Sequence, residues 1–151
     1  WSLFLDGEQV DSILTVRSIL EVKSAELAAG CTDKIKLERL ADNYKRMEDV
    51  FTNCDRESNT QAKLKEILSA DIDFHTCIAE CSGNQIILSM LSTIRNFLQR
   101  VSGTGMVEAE QVTAVMAEHR ELYAAITSGD TEEAAASMKR HLDASSLRYK
   151  L

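Results

Sequence analysis

The sequence predicts an all-α protein, an antiparallel helical bundle, on three observations. Proline is absent, and glycines other than Gly7 separate stretches whose apolar residues recur every three or four positions. No stretch alternates with period two for long enough to make a strand. Short connections join the stretches, which makes sequential helices antiparallel neighbours. The 151 residues are one domain's worth, enough to bury roughly 68–70% of the chain's surface.

Six main helices follow in order. The first is expected from about Asp11 to Ala29, with Ile13, Leu20 and Leu27 inward, after a leader or linker remnant over residues 1–9 that holds Gly7. The second runs from about Asp33 to Thr52, with Leu37, Leu40, Ala41, Tyr44, Met47 and Phe51 inward. A polar loop covers 53–60. The third spans Gln61 to Cys81 and carries Leu64, Ile67, Leu68, Asp71, Phe74, His75 and Ile78 on one stripe. The fourth starts near Asn84, with Ile87, Met90, Leu91, Ile94, Leu98 and Val101 inward, and Gly103 and Gly105 follow it. The fifth runs from about Val107 to Thr127 and the sixth from Asp130, where Asp130 and Glu133 have capping-box spacing.

All three histidines fall on these apolar stripes. Asp71 and His75 are four apart and share one helical face. His119 and His141 lie on either side of the Ser128–Gly129–Asp130 turn, each about 15 Å from it at 1.5 Å per residue. They therefore sit at one level of a helical hairpin. Three imidazoles and a carboxylate that point into a core are met most simply by one divalent metal ion. Zinc is the first choice, with nickel, manganese and iron as alternatives. Such a donor set leaves one or two coordination positions open for water or a ligand's oxygen atoms. The plainer alternative is a set of hydrogen-bonded core residues.

Arg17 shares the inner stripe of the first helix with Ile13 and Leu20. It either pairs with Glu21 one turn later or holds a ligand carboxylate in a bidentate grip. Arg95 on the fourth helix is a weaker candidate of the same kind, expected to be solvent-exposed. The net charge of −7 argues against a nucleic-acid groove or an anionic membrane as partner for this stretch. No apolar run reaches membrane-spanning length and no signal peptide is seen. A cytoplasmic location is expected from the cysteines. Cys31, Cys54, Cys77 and Cys81 form no CxxC pair and are expected to be reduced, acting as small hydrophobes. Cys77 and Cys81 should face away from Asp71 and His75.

Four segments resemble one known family. Asp71-Ile72-Asp73-Phe74-His75 through Ser82-Gly83-Asn84 resembles the Asp-x-x-Phe-His…Ser-Gly-Asn signature of the FCD domain, the effector-binding half of FadR-subfamily GntR transcription regulators. Glu118-His119 through Ala125-Ile126 to Gly129-Asp130, Ala134-Ala135 through Met138 to His141-Leu142, and Arg17 through Leu20-Glu21 to Leu27-Ala28-Ala29 resemble further family stretches. The likeness runs over roughly residues 10 to 145. It implies a bundle of six or seven helices around a metal and ligand cavity. It also implies metal ligation at Asp71, His75, His119 and His141, and a small organic acid held by Arg17. A winged helix-turn-helix domain is expected upstream of residues 10–151, so operator DNA would be bound only through that missing part. The expected function is ligand sensing by a transcription regulator, a homodimer and not an enzyme. The alternative is a metal-dependent hydrolase on a helical bundle, which needs a general base near the metal. Helical geometry points Asp73, Glu80 and Glu118 away from that task.

Overall fold

A computed structural model describes residues 7–53, 61–101 and 109–149. Regular structure among them is helical throughout: α1 (Gly7–Ala29), α2 (Lys34–Thr52), α3 (Gln61–Cys81), α4 (Gln85–Val101), α5 (Ala109–Ser128) and α6 (Thr131–Tyr149). The all-α architecture is as the periodicity predicts. The expected loop over 54–60, Cys54, Gly103, Gly105 and the first residues expected in α5 lie outside the described residues.

Short polar side chains set the helix starts. Asp33 caps α2 by accepting from the backbone N–H of Ile35 (3.0 Å) and Lys36 (3.3 Å). Asn84 does the same for α4 through Ile86 and Ile87. Asp130 accepts from Glu133 N at 2.9 Å at the head of α6. Gly83 and Gly129 adopt φ of 70° and 78°, the left-handed conformation that ends α3 and α5 and turns the chain back. At Gly129 the turn is closed by Gly129 N–H to Ile126 O and Asp130 N–H to Ala125 O. This tight reversal is what holds His119 and His141 level with each other.

The expectation for α1 needs two corrections. The helix already includes residues 7–10, ahead of Asp11, so part of the expected leader is helical. Its buried face is also not the Ile13–Leu20–Leu27 stripe, whose members are only half-buried. Glu21, Ser24, Ala25 and Ala28 are the fully buried residues, while Val16 and Ile19 are exposed. The reason is crowding. α1 packs on α6, α3, α5 and α4, with its most extensive contact on α6. Small side chains at Ala25, Ala28 and, on α6, Ala134 allow that close approach.

The main core joins Leu40, Met47 and Phe51 of α2 to Phe74 and Ile78 of α3, Leu122 and Ile126 of α5, and Met138 and Leu142 of α6. On α4, Ile87 and Leu91 are buried, but Met90, expected inward, is 44% exposed. Cys77 and Cys81 face away from Asp71 and His75, as expected, and meet α2. Asn43 Nδ2 donates to Cys77 Sγ, and Cys81 Sγ donates to Lys36 O. Cys31, Cys77 and Cys81 are free thiols. Burial, with Cys31 alongside, pushes the Cys81 thiol up to about 12, so it stays protonated and unreactive at neutral pH.

Candidate metal centre

The stripe arithmetic places Asp71 and His75 one turn apart on α3, and the structure keeps them on one face. Across the interior stand His119 of α5 and His141 of α6, their rings 4.4 Å apart between centroids. α3 meets the hairpin through its side chains, as the sequence reading required: Phe74 and Ile78 share one core with Leu122 and Ile126 of α5 and Met138 and Leu142 of α6. His75 Nε2 lies 3.3 Å from His119 Nε2, and Asp71 Oδ1 lies 3.1 Å from His119 Nε2 and 3.9 Å from His75 Nε2.

One ligand atom from each of Asp71, His75, His119 and His141 falls within 4.8 Å of all the others. Two ligands on a tetrahedral ion at about 2.1 Å stand about 3.4 Å apart, so these separations are near those of a coordination sphere. The three imidazoles are almost wholly buried, and the Asp71 side chain retains 26% exposure. Aromatic walls fix the rings: Phe74 meets both His75 and His119 edge-on, and Phe51 meets His119.

Two carboxylates set the tautomers. An ionised carboxylate only accepts, so the ring nitrogen facing it must carry the proton. His75 Nδ1–H donates to Glu21 Oε2 at 2.5 Å, and His141 Nδ1–H donates to Glu118 Oε2 at 2.8 Å. The Nε2 lone pair of each is then free for the centre. His119 differs, since its buried Nδ1 has no hydrogen-bond partner. His75 Nε2 and His119 Nε2 stand 3.3 Å apart beside Asp71 Oδ1, a grouping of donor atoms that a shared cation would fit. The donor chemistry fits a divalent ion of borderline softness.

The charges agree. Burial alone would raise the Asp71 carboxyl, but the hydrogen bond from His119 and the nearby imidazoles hold it well below its ordinary value. Burial pushes the His141 imidazole down, against the pull of Glu118, which favours the neutral form that ligates metal. Glu21, 1% exposed, would also be raised by burial. His75, Arg17 and Arg95 outweigh that and keep it ionised.

Arg17 takes the local partner the sequence offered: its Nε donates to Glu21 Oε1 at 2.7 Å. Arg95 is a correction. Expected in solvent, it is 8% exposed. Its Nη1 donates to Thr76 Oγ1 at 2.6 Å and its Nη2 lies 3.5 Å from Glu21 Oε1 without making a hydrogen bond. Ser24 Oγ is likewise buried and unpartnered. The physical reason was visible, because Ile87, Leu91 and Arg95 follow at spacings of four and share one buried face.

Sequence reasoning missed the roles of Glu21 and Glu118. The stripe pattern offers Glu21 only as a neighbour of Arg17 and puts Glu118 off the His119 stripe. Glu118 reaches across to the adjacent helix, which no single-helix projection reveals. Asp73 and Glu80 do point away, and pair with Arg46 and Arg39 of α2.

Comparison with known proteins agrees with the all-α fold. The family model for the FCD domain matches residues 12–144. The HTH-type transcriptional regulator LutR of Bacillus subtilis (strain 168) is 27% identical over 146 residues, covering 93% of this chain and 62% of that protein. An HTH-type transcriptional regulator in an unstable DNA locus of Streptomyces ambofaciens is 28% identical over 140 residues, covering 93% of this chain and 55% of the relative. The chain thus spans about three fifths of the length of these relatives. Among solved structures, E. coli McbR/YncC superposes with a TM-score of 0.76 at 16% identity, over 96% of this chain and 66% of that one.

Proposed function

The chain belongs to the FCD domain family, and from that premise we propose that it is the ligand-sensing domain of a GntR-type transcription regulator. In this proposal Asp71, His75, His119 and His141 hold one divalent ion, zinc by preference, and a small organic carboxylate binds beside it. The observation that carries it is the buried convergence of three imidazole nitrogens and a carboxylate oxygen within 4.8 Å. When bound, the ion supplies a Lewis-acidic anchor with positions open to carboxylate or hydroxyl oxygens.

The protein's own residues supply the rest of the acid's seat. Arg17 is the second anchor; Arg95 Nη2, ion-paired with Glu21 at 3.5 Å but making no hydrogen bond, and Ser24 Oγ offer further donors. A buried guanidinium with an unmet N–H favours an anionic guest. Two anchors favour hydroxy acids and di- or tricarboxylates over simple fatty acids. A metal-dependent hydrolase is the weaker alternative. It needs a carboxylate free to act as general base, whereas Glu21 and Glu118 each accept from a candidate ligand histidine.

In the whole regulator, a winged helix-turn-helix domain ahead of residues 10–151 would bind the operator in the cytoplasm. Acid binding would shift that domain's arrangement and its DNA affinity. The relatives named as HTH-type regulators extend well beyond the matched region, in keeping with this. No described helix is long and apolar enough to cross a membrane. A homodimer is the proposed assembly. Ile19 on α1 and Ile86 on α4, helices that touch each other, are 65% and 70% exposed and offer apolar surface for it.

Metal analysis of tag-free protein, then calorimetry of the zinc-loaded chain against C2 to C6 organic acids, tests the proposal. One zinc per chain and saturable binding of at least one acid are expected. Absence of acid binding to metal-loaded protein would refute ligand sensing at this site.

A further inference from the structure

We infer that Glu21 is a positioning residue that sets one face of His75 toward the metal centre and ties that centre to the Arg17–Arg95 pair. The inference rests on the metal-site assignment above and adds a residue to it. One carboxylate makes all three links. Oε2 accepts from His75 Nδ1, while Oε1 accepts from Arg17 Nε at 2.7 Å and lies 3.5 Å from Arg95 Nη2. Neither oxygen is left to solvent, since the side chain is 1% exposed.

The consequence for His75 is chemical. A carboxylate cannot donate, so it admits only the Nδ1–H form of the ring and directs the Nε2 lone pair at His119 and Asp71. It also makes the imidazole a stronger electron donor through the shared proton. The guanidiniums pin the carboxylate. Arg17 sits one turn before Glu21 on α1, and Arg95 comes in from α4. Without the two guanidiniums the carboxylate would be free to swing away, and His75 would lose its fixed tautomer.

The arrangement also joins two functions. Any anion that takes up Arg17 or Arg95 competes with Glu21 for them and alters its hold on His75. Metal affinity and anion binding would then depend on each other through a side chain on α1 that is not among the four candidate ligands.

The test is made on the whole chain with zinc alone as probe. Nitrogen-15 spectra of the metal-free protein at pH 8.5 should show His75 as the Nδ1–H tautomer, and that proton should survive zinc addition while Nε2 shifts. In a chelator competition, Glu21→Gln should bind zinc about tenfold to a hundredfold more weakly than the parent. His75 should then lose its single tautomer. Glu118→Gln should leave His75 in its Nδ1–H form, which separates this role from general damage to the centre. Should Glu21→Gln fail to fold, the parent spectrum still decides. An Nε2–H tautomer at His75 in metal-free parent protein, or parent-like zinc affinity in a folded Glu21→Gln, would overturn the inference. A parent that binds no zinc would instead overturn the metal-site assignment, leaving the tautomer result to be judged separately.

Discussion

Replacing His141 by alanine should remove most of the stability that zinc confers. With free zinc at a thousandfold excess over its dissociation constant, binding to the folded chain alone stabilises it by about 4.1 kcal/mol. For a chain of this size that corresponds to a rise of about 8–16 °C in Tm. His141 is 4% exposed, its Nδ1 is held by Glu118, and its ring lies 4.4 Å from that of His119 between centroids, so it cannot be replaced by a neighbour. If losing it weakens zinc about a hundredfold, the same zinc concentration stands at only about ten times the new dissociation constant. The increment then falls to about 1.4 kcal/mol. In metal-free protein the substitution should cost about 2 kcal/mol, the low end for emptying a buried side-chain site, because Glu118 is part-exposed and can rehydrate. Urea unfolding of both proteins, with zinc and with chelator, separates the two effects. A zinc increment in His141→Ala equal to the parent's would refute the ligand assignment, whatever happens to metal-free stability.

Further outcomes are expected. Arg17→Ala should weaken acid binding about thirtyfold or more by calorimetry while zinc content stays near one per chain. Phe74→Ala empties a fully buried ring site against His75 and His119 and should lower metal-free stability by about 3–5 kcal/mol in denaturant titration. The pH dependence has a definite sign. Glu21 is held below its unfolded value, so its contribution is complete above about pH 4.3 and is lost as pH falls through the folded value. His141, depressed by burial, acts in the same direction below about pH 6.5. Metal-free protein should therefore lose stability steadily from pH 6.5 toward pH 3, and an increase over that range in urea midpoints would contradict these charge states. Residues 1–151 alone, at net charge −7, should give no sequence-specific retardation of a palindromic operator in a gel shift at moderate salt.

Much of the fold was legible because strong signals coincided. Spacings of three and four, with Gly83 and Gly129 at the turns and Asp33, Asn84 and Asp130 at the helix starts, set α2, α3 and α6 to within a residue at their first ends. Asp71, His75, His119 and His141 could be brought together on paper because two share a helix face and two flank a tight turn. α1 was misjudged for a physical reason. Its fully buried residues are polar or small, Glu21, Ser24, Ala25 and Ala28, while Val16 and Ile19 face out, so hydrophobicity points to the wrong side. Arg95 was misplaced because charge was weighed above position. Its spacing from Ile87 and Leu91 already put it inside. Glu118 could not be read from one helix, because its partner His141 belongs to the next.

X-ray absorption at the zinc edge of the tag-free, zinc-loaded chain tests the metal centre most directly. The expected first shell is nitrogen and oxygen at about 2.0–2.2 Å, with imidazole scattering from three histidines. Sulfur at about 2.3 Å, which would move the ion to thiols such as Cys31, Cys77 or Cys81, or the failure of the chain to retain one zinc, would contradict it.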